Sequence, residues 1–254
     1  MTGLAKKLLT ALATVLLAGC ASGVLGLGGS SWKEEVMQHD EIKIVVERSV
    51  ERGGRHEIGQ KPPIREQSLS FTPHGSNKPI TWGDHYSEDV SGANFLPMLL
   101  DMANGIPYLV VHPMGCLSYN KWGRPNPPYV IFKYDSGTWQ RIALQELPRE
   151  ITTPNLVFSM PDIEAEKLGK GLIPAEAINK LIRGYRQPHY RSIIREPISP
   201  EEIGCPEMVS DGNGGWLGID WFSDTPDFET CTKVCEMKNV APGYCPCKKF
   251  HKGP

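Results

Sequence analysis

Residues 129–144 read Tyr129-Val-Ile-Phe-Lys-Tyr134, Asp135-Ser-Gly137, Thr138-Trp-Gln-Arg-Ile-Ala-Leu144, and they give the clearest indication of the fold. Two runs rich in aromatic and β-branched residues flank a short turn that contains Asp and Gly. This pattern predicts a β-hairpin. The chain holds one convincing copy of this unit, whereas a β-propeller would need several.

Segments on either side of this hairpin also predict short strands. Residues 41–48 alternate apolar and polar side chains, which is typical of a half-buried strand. Pro107–His112 is almost entirely apolar and predicts a strand that is buried on both faces. Further strands are predicted at Gln67–Thr72, Lys78–Gly83 and Asn155–Met160, and a rigid loop at Gly123–Pro128.

Four segments predict short helices. Asn94–Asn104 carries apolar residues at helical spacing, with Pro97 near the first turn. Asp162 is expected to cap a helix at Ile163–Leu168, and the others lie at Ala175–Arg183, after Pro174, and at Ser199–Glu202. The sequence therefore predicts a β-rich α+β fold, an antiparallel sheet or sandwich with a few short helices and an irregular, Cys-rich C-terminal region.

The first twenty residues, Met-Thr-Gly-Leu-Ala-Lys-Lys-Leu-Leu-Thr-Ala-Leu-Ala-Thr-Val-Leu-Leu-Ala-Gly-Cys, have the layout of an export signal. Two lysines precede an apolar run over residues 8–18, which is too short for an ordinary transmembrane helix. The run ends in Leu17-Ala18-Gly19-Cys20, which resembles the lipobox of bacterial lipoproteins. This resemblance implies cleavage between Gly19 and Cys20 and attachment of lipid to the Cys20 thiol.

The resemblance to lipoproteins also implies a location. An Asp after the lipidated Cys commonly favours the inner membrane, so Ala21 implies the outer membrane, with the protein facing the periplasm. Residues 20–31 are interpreted as the lipidated Cys and a flexible Gly/Ser tether, residues 32–204 as a globular body and residues 205–254 as the Cys-rich region. The body, including the loop at 123–128 and the hairpin, resembles uncharacterised proteobacterial lipoproteins of unknown function, and no catalytic residue follows from that likeness.

The seven cysteines fit this interpretation. If lipid occupies Cys20, six remain for up to three disulfides in an oxidising periplasm. One arrangement pairs Cys231 with Cys247 and Cys235 with Cys245, and the last disulfide then joins Cys116 to Cys205. A four-thiolate zinc site is the alternative for residues 231–247, although a single residue between Cys245 and Cys247 is a poor zinc spacing.

Three other groups of residues are candidates for function. Asp84, His85, Glu88 and Asp89 could act as acid and base or bind a metal, or they could form a solvated loop. Asp211-Gly-Asn213-Gly-Gly215 superficially resembles a calcium loop, with Asp220, Asp224 and Asp227 nearby, although a Gly-rich turn is favoured. Exposed aromatic side chains could bind a partner, and the candidates are Trp216, Trp221, Phe222, Tyr119, Trp122 and Tyr129.

The net charge and the lack of known catalytic motifs restrict the classes of function that the sequence favours. There are 27 Lys and Arg against 29 Asp and Glu, a net charge of −2 that argues against a nucleic-acid binder. We find no nucleophile elbow, HExxH, phosphate loop or dinucleotide fingerprint, and no cofactor or metal site is predicted. The sequence favours a non-enzymatic module that binds or scaffolds a protein or cell-wall component of the envelope, including an inhibitor or immunity protein. An envelope hydrolase that uses residues 84–89 is the alternative.

Overall fold

The first sheet is built from the N-terminal part of the body. The structure, a computed structural model, describes residues 29–54 and 56–253, so the export signal and Cys20 lie outside the described residues. Four antiparallel strands form the sheet in chain order: β1 (Gly29–Met37), β2 (Lys43–Arg52), β3 (Ile64–Phe71) and β4 (Ile80–Asp84). The short β9 (Leu172–Ile173) pairs parallel to β1, which gives the order β4-β3-β2-β1-β9.

The predicted tether is wrong at its C-terminal end. Residues 29–31 belong to β1 and pair with Ser49–Glu51 of β2. A Gly/Ser sequence has little intrinsic strand preference, but pairing with β2 supplies its backbone hydrogen bonds. Three residues assigned to the tether therefore belong to the first sheet.

The second sheet follows in the order β5-β6-β7-β8, again antiparallel. Its strands are β5 (Phe95–Ala103), β6 (Ile106–Pro113), β7 (Val130–Asp135) and β8 (Thr138–Ile142). The hairpin at 129–144 is thereby confirmed. The helix predicted at Asn94–Asn104 is wrong, because this segment forms β5.

The physical reason for that error is burial on both faces. Residues 98–100 of β5 are fully buried, and a strand covered on both sides is apolar without alternation. Asn104 and Gly105 have φ values of 53° and 74°, which suit a tight hairpin turn into β6. A register shift between Pro97 and Leu99 accommodates the proline within the sheet.

The second sheet lies between two apolar layers. On one side Leu100, Leu109 and Val111 pack with Val46 and Leu69 of the first sheet. On the other side, apolar residues such as Leu99, Val110 and Ile131 pack with the helices α2 (Pro161–Leu168) and α3 (Ala175–Arg183). The body is therefore sheet on sheet on helices, which confirms the α+β class.

The segment predicted as a strand at Asn155–Met160 is irregular. The backbone N–H groups of Asn155 and Leu156 donate to Met98 O, and the Asn155 side chain bonds both backbone groups of Leu100. These bonds cover the edge of β5 without a regular strand. The predicted cap of α2 is also wrong, since Asp162 lies inside the helix and its carboxylate accepts from Arg52 at 2.6 and 2.7 Å.

The remaining elements are short. They are α1 (Gly115–Lys121), α4 (Pro188–Arg191), α5 (Pro200–Ile203), β10 (Met208–Ser210), β11 (Trp216–Gly218), α6 (Asp220–Ser223) and α7 (Phe228–Met237). The helix predicted at Ser199–Glu202 is confirmed as α5, and the Ser199 side chain caps it. Between residues 29 and 253, no helix has the length and apolar character needed to span a membrane.

Three cysteine pairs lie at disulfide distance. Cys116 of α1 joins Cys205, with an S–S distance of 2.05 Å. Cys231 and Cys235, one turn apart on α7, pair with Cys247 and Cys245 respectively. Phe222 and both of these disulfides form a small core of their own, so the C-terminal region is more ordered than the sequence predicts.

Candidate functional site

Asp84 serves a structural purpose at the end of β4. Its buried carboxylate accepts from both backbone and side chain of Asn94, from Phe95 N and from Gln67 Nε2, at 2.8–3.2 Å. Burial raises the pKa of Asp84, although each of these donors favours the ionised form. Four donors leave this carboxylate little capacity to act on a substrate.

The other members of the acidic cluster point elsewhere. The His85 side chain is 79% exposed, and its Nδ1 lies 3.8 Å from Glu66 Oε2. Asp89 is 2.8 Å from Lys121 Nζ; burial opposes its ionisation, but hydrogen bonds from Lys121 and Ser87 lower its pKa. Glu88 lies in a short 3-10 helix. The structure therefore separates Asp84 from His85 rather than assembling an acid–base pair.

The loop that resembles a calcium site is a hairpin turn between β10 and β11. Asp211 Oδ1 accepts from the backbone N–H groups of Asn213 and Gly215, at 2.7 and 2.8 Å. Asp227 caps α7 through Thr230 N. These carboxylates orient backbone rather than converging on a point, which matches the Gly-rich turn favoured by the sequence.

The C-terminal cysteines are close enough to raise the zinc alternative. The sulfurs of Cys235, Cys245 and Cys247 all lie within 4.8 Å of one another. In the structure they are joined in disulfides with each other and with Cys231. Zinc binds the thiolate form, so the oxidised cluster does not provide its ligands.

Most of the aromatic candidates serve packing. Phe222, Tyr119 and Tyr129 are buried, and the Tyr129 hydroxyl donates to His189 O at 2.9 Å. Trp216 Nε1 donates to Asp89 O and thus attaches the β10–β11 hairpin to the body. Trp122 is half-buried against Phe95. Trp221 is 55% exposed, and Lys238 Nζ lies over its ring at 3.5 Å.

A concave surface lies on the outer face of the first sheet. Its cavity of about 810 Å³ includes serines of β1, β2 and β3 and continues past β1 to α2 and the loop 169–172. A second hollow, of about 640 Å³, shares Ser49 and Ser68 with this cavity, and a third, of about 610 Å³, shares Ser70. We call this continuous surface, on the strand face that points away from the second sheet, the trough.

Strand register explains the shape of the trough. Ser31, Ser49, Ser68 and Gly83 stand side by side on four neighbouring strands. Side chains of successive rows on one face are two residues apart along each strand. The serine row is therefore a floor of small groups crossing the sheet.

Charged residues border this floor on both sides. One neighbouring row contains Lys33 and Glu47, whose charged groups are 2.6 Å apart. The other contains Glu51 and Glu66, with His85 beside Glu66. Because these side chains are longer than serine, they form low ridges along the floor.

A buried ion pair supports the sheet beneath the trough. Glu34 and Arg48 are 0% and 2% exposed, and Arg48 Nη1 lies 3.3 Å from Glu34 Oε1. Trp32 Nε1 and Val157 N also donate to Glu34. Burial raises the pKa of Glu34, and the charge of Arg48 opposes that shift. This network fixes β1 against β2 at the trough.

The trough does not follow from single segments of the sequence. The alternation at 41–48 places Glu47 on the polar face, but nothing within Gln67–Thr72 marks Ser68 and Ser70 as part of a surface shared with it. Small hydroxyl residues at alternate positions of neighbouring strands were the available signal. Their alignment depends on register, which the individual segments do not define.

Two histidines lie together away from the trough. His112 of β6 and His189 of α4 are stacked with ring centroids 6.1 Å apart, and Tyr190 packs edge-on against both. The pKa of His112 is lowered to about 4, mainly by burial; the hydrogen bond to Pro113 O opposes this shift and the neighbouring His189 adds to it. Burial also lowers the pKa of His189, while Glu202 opposes that shift.

We expect His112 to make the protein less stable in acid. The unfolded chain binds a proton at the ordinary pKa of about 6.5, whereas the folded protein binds it near 4. The stabilisation from neutral, buried His112 is therefore complete above pH ~6.5. It decreases as the pH falls below that value, and about 3 kcal/mol of it is lost by pH ~4. Urea unfolding near neutral pH and near pH ~4 measures this loss, and His112→Leu should remove most of it. The matched control at an exposed position is His85→Gln; equal pH dependence of wild type and His112→Leu would contradict the expectation.

Comparison with protein-family models, curated proteins and solved structures found no match to this chain. No family is therefore assigned.

Proposed function

We propose that this protein is a lipid-anchored module of the bacterial envelope that binds another envelope component without catalysing a reaction. The observation that carries the proposal is the trough, a large concave surface with a floor of serines that opens to solvent on the first sheet. Residues 84–89, which would serve the hydrolase alternative, are directed into separate structural contacts. The hydrolase alternative therefore gains no support from this geometry.

The N-terminal sequence supplies the anchor in this proposal. Lipid on Cys20 would hold the protein in the outer membrane, with the body in the periplasm. Only residues 21–28 separate Cys20 from β1, and a chain of that length reaches at most about 30 Å. Ser30 and Ser31 line the trough directly after this segment. The binding surface would thus operate close to the membrane.

The net charge supports retention at the membrane by lipid rather than by electrostatic attraction. Removal of residues 1–19 takes away Lys6 and Lys7 and no acid, so 25 Lys and Arg remain against 29 Asp and Glu, a net charge of −4. A protein of this charge is not attracted to an anionic membrane or to nucleic acid. Lipid is then what retains it, and the trough is free for an envelope partner.

Palmitate labelling tests the anchor. The wild-type chain, expressed with its own N terminus in a Gram-negative host, should incorporate label. Cys20→Ala should abolish labelling because it removes the thiol, whereas Ser22→Ala in the same segment should leave it unchanged. Labelling of Cys20→Ala to the wild-type level would show that the lipid is not on Cys20.

Site-specific photo-cross-linking in intact cells tests the binding surface. A photoreactive residue at position 68, in the trough, should give a reproducible adduct. The same residue at position 136, in the exposed turn of the β7–β8 hairpin, is the matched control and should give none. Identical adduct patterns at the two positions would contradict the assignment of the trough as the binding surface.

A further inference from the structure

We propose that the trough binds an extended, hydroxyl-rich glycan chain lying across the strands, along the row Ser31, Ser49, Ser68 and Gly83. This inference rests on the proposed function and names the ligand class of the same surface. It commits to a glycan rather than to a peptide, a polyanion or a lipid surface.

The dimensions of the floor suit a chain rather than a compact small molecule. Its four residues lie on adjacent strands, and strands are spaced by about 4.8 Å, so the floor is roughly 14 Å long. It ends at Gly83, where the missing side chain makes room for the imidazole of His85, whose Nε2 lies 3.4 Å from the position that a Cβ would take. An extended ligand along the row would therefore meet His85 at this end.

The floor offers both donors and acceptors. Ser49 Oγ and Ser68 Oγ are 2.6 Å apart, and this hydrogen bond uses one donor and one acceptor. A hydroxyl has one donor and two acceptor sites, so the pair retains unused donor and acceptor capacity. Sugar hydroxyls have the same dual character, and the matching groups can exchange roles along a chain. Thr81 and Ser70 form a second hydroxyl pair, at 3.1 Å, in the adjacent row.

The charges on the ridges argue against a polyanionic ligand. Lys33 is paired with Glu47, and the opposite ridge contributes Glu51 and Glu66. At the α2 end of the cavity, two lysines, Lys61 and Lys170, are matched by two acids, Asp162 and Glu166. A nucleic acid or polyphosphate would meet these carboxylates on both sides and be repelled. A neutral polyol can instead donate hydroxyl hydrogen bonds to them, and hydrogen bonds to charged acceptors are the stronger class.

The trough also differs from surfaces that take up lipid or peptide. Ser, Lys and Glu are the commonest residues of its lining, and its exposed aliphatic side chains, Leu172 and Val45, stand singly in different hollows, whereas membrane-surface contacts need a continuous set of aromatic and aliphatic side chains. Peptides added to a sheet bind along a strand edge through backbone groups. The aligned hydroxyls instead lie on the face of the sheet and run across the strands.

Co-sedimentation with insoluble glycans tests the proposal. The probes are chitin and protein-free cell-wall sacculi, and the protein is the full chain in detergent. Wild type should sediment with at least one of these glycans. The decisive variants are Ser49→Val/Ser68→Val and Ser49→Thr/Ser68→Thr, because valine and threonine have nearly the same shape and both suit strands.

The valine pair removes the hydroxyls and should weaken binding about tenfold, whereas the threonine pair keeps them and should bind like wild type. Ser136→Val controls for a serine outside the trough. Equal binding of the valine and threonine variants would overturn the proposal, as would failure of wild type to sediment with either glycan or cross-linking of residue 68 to a peptide alone.

The glycan assay is independent of the anchor. Cys20→Ala should sediment with glycan as wild type does, since the trough is unchanged. A wild-type chain that takes no palmitate label but still sediments with glycan would therefore overturn only the lipid anchor. Absence of glycan binding together with a cross-linked envelope protein would overturn the glycan and leave the binding module in place.

Discussion

Glu34→Ala is expected to lower the free energy of unfolding by about 3–5 kcal/mol, because it leaves the guanidinium of Arg48 buried without its counter-charge. Arg48 would keep its hydrogen bond to Val157 O at 3.2 Å. Its Nη2 atom is already buried without a hydrogen-bond partner in the described part of the chain. Loss of Glu34 therefore removes the main group that stabilises the charge. Urea unfolding at neutral pH measures the change.

The double variant Glu34→Leu/Arg48→Met is the informative control. Replacing both members by apolar residues of similar size removes the buried charges together and should recover most of the lost stability. If the double variant is less stable than Glu34→Ala, the pair stabilises the fold beyond the simple penalty of an unpaired charge. Glu47→Ala, on the exposed face of the neighbouring strand, should change stability by less than about 1 kcal/mol.

Local sequence signals were sufficient where one segment determines its own structure. The β7–β8 hairpin follows from two β-rich runs around Asp135-Ser-Gly137, and α3 follows from apolar residues on one face. The cap at Ser199 is equally local. These elements need no distant partner to be recognised, and all three agree with the structure.

Elements that depend on their neighbours were harder to predict. Residues 98–100 of β5 are buried on both sides, so their pattern does not distinguish a strand from a helix. Asp162 has the composition of a helix cap, yet the distant Arg52 takes its carboxylate. Asp84 and His85 are adjacent in sequence, but strand alternation sends one into the core and the other into solvent.

The trough could not be predicted for the same reason, because it depends on how neighbouring strands pair. Each serine of its floor is unremarkable in its own strand, and the floor exists only because three strand pairings align them. A shift of one residue in any pairing would turn that strand's serines towards the core. Register is set by apolar packing on the opposite face, so the core determines the binding surface.

Removing the cross-link between α1 and the C-terminal region should also have a large effect. In Cys116→Ala/Cys205→Ala, the loss of a disulfide that spans 89 residues should lower the free energy of unfolding by about 4–5 kcal/mol, because the unfolded chain regains the entropy of that loop. Both cysteines are only half-buried, so the two substitutions remove little packing. Urea unfolding without reductant measures the change.

The alternative expectation is that hydrogen bonds, rather than the disulfide, contribute most of the stability of the contact between these two regions. Arg124 donates to the backbone carbonyls of Cys205 and Pro206, and Asn120 bonds Met208 N. If these contacts dominate, the double variant will lose less than about 1 kcal/mol, and Arg124→Ala will be the more damaging change. If the cross-link dominates, Arg124→Ala will be mild, and the double variant alone will make residues 206–253 sensitive to limited proteolysis. The second outcome is expected, because Arg124→Ala removes two hydrogen bonds to the C-terminal region at about 1 kcal/mol each, which is less than closure of the long loop contributes.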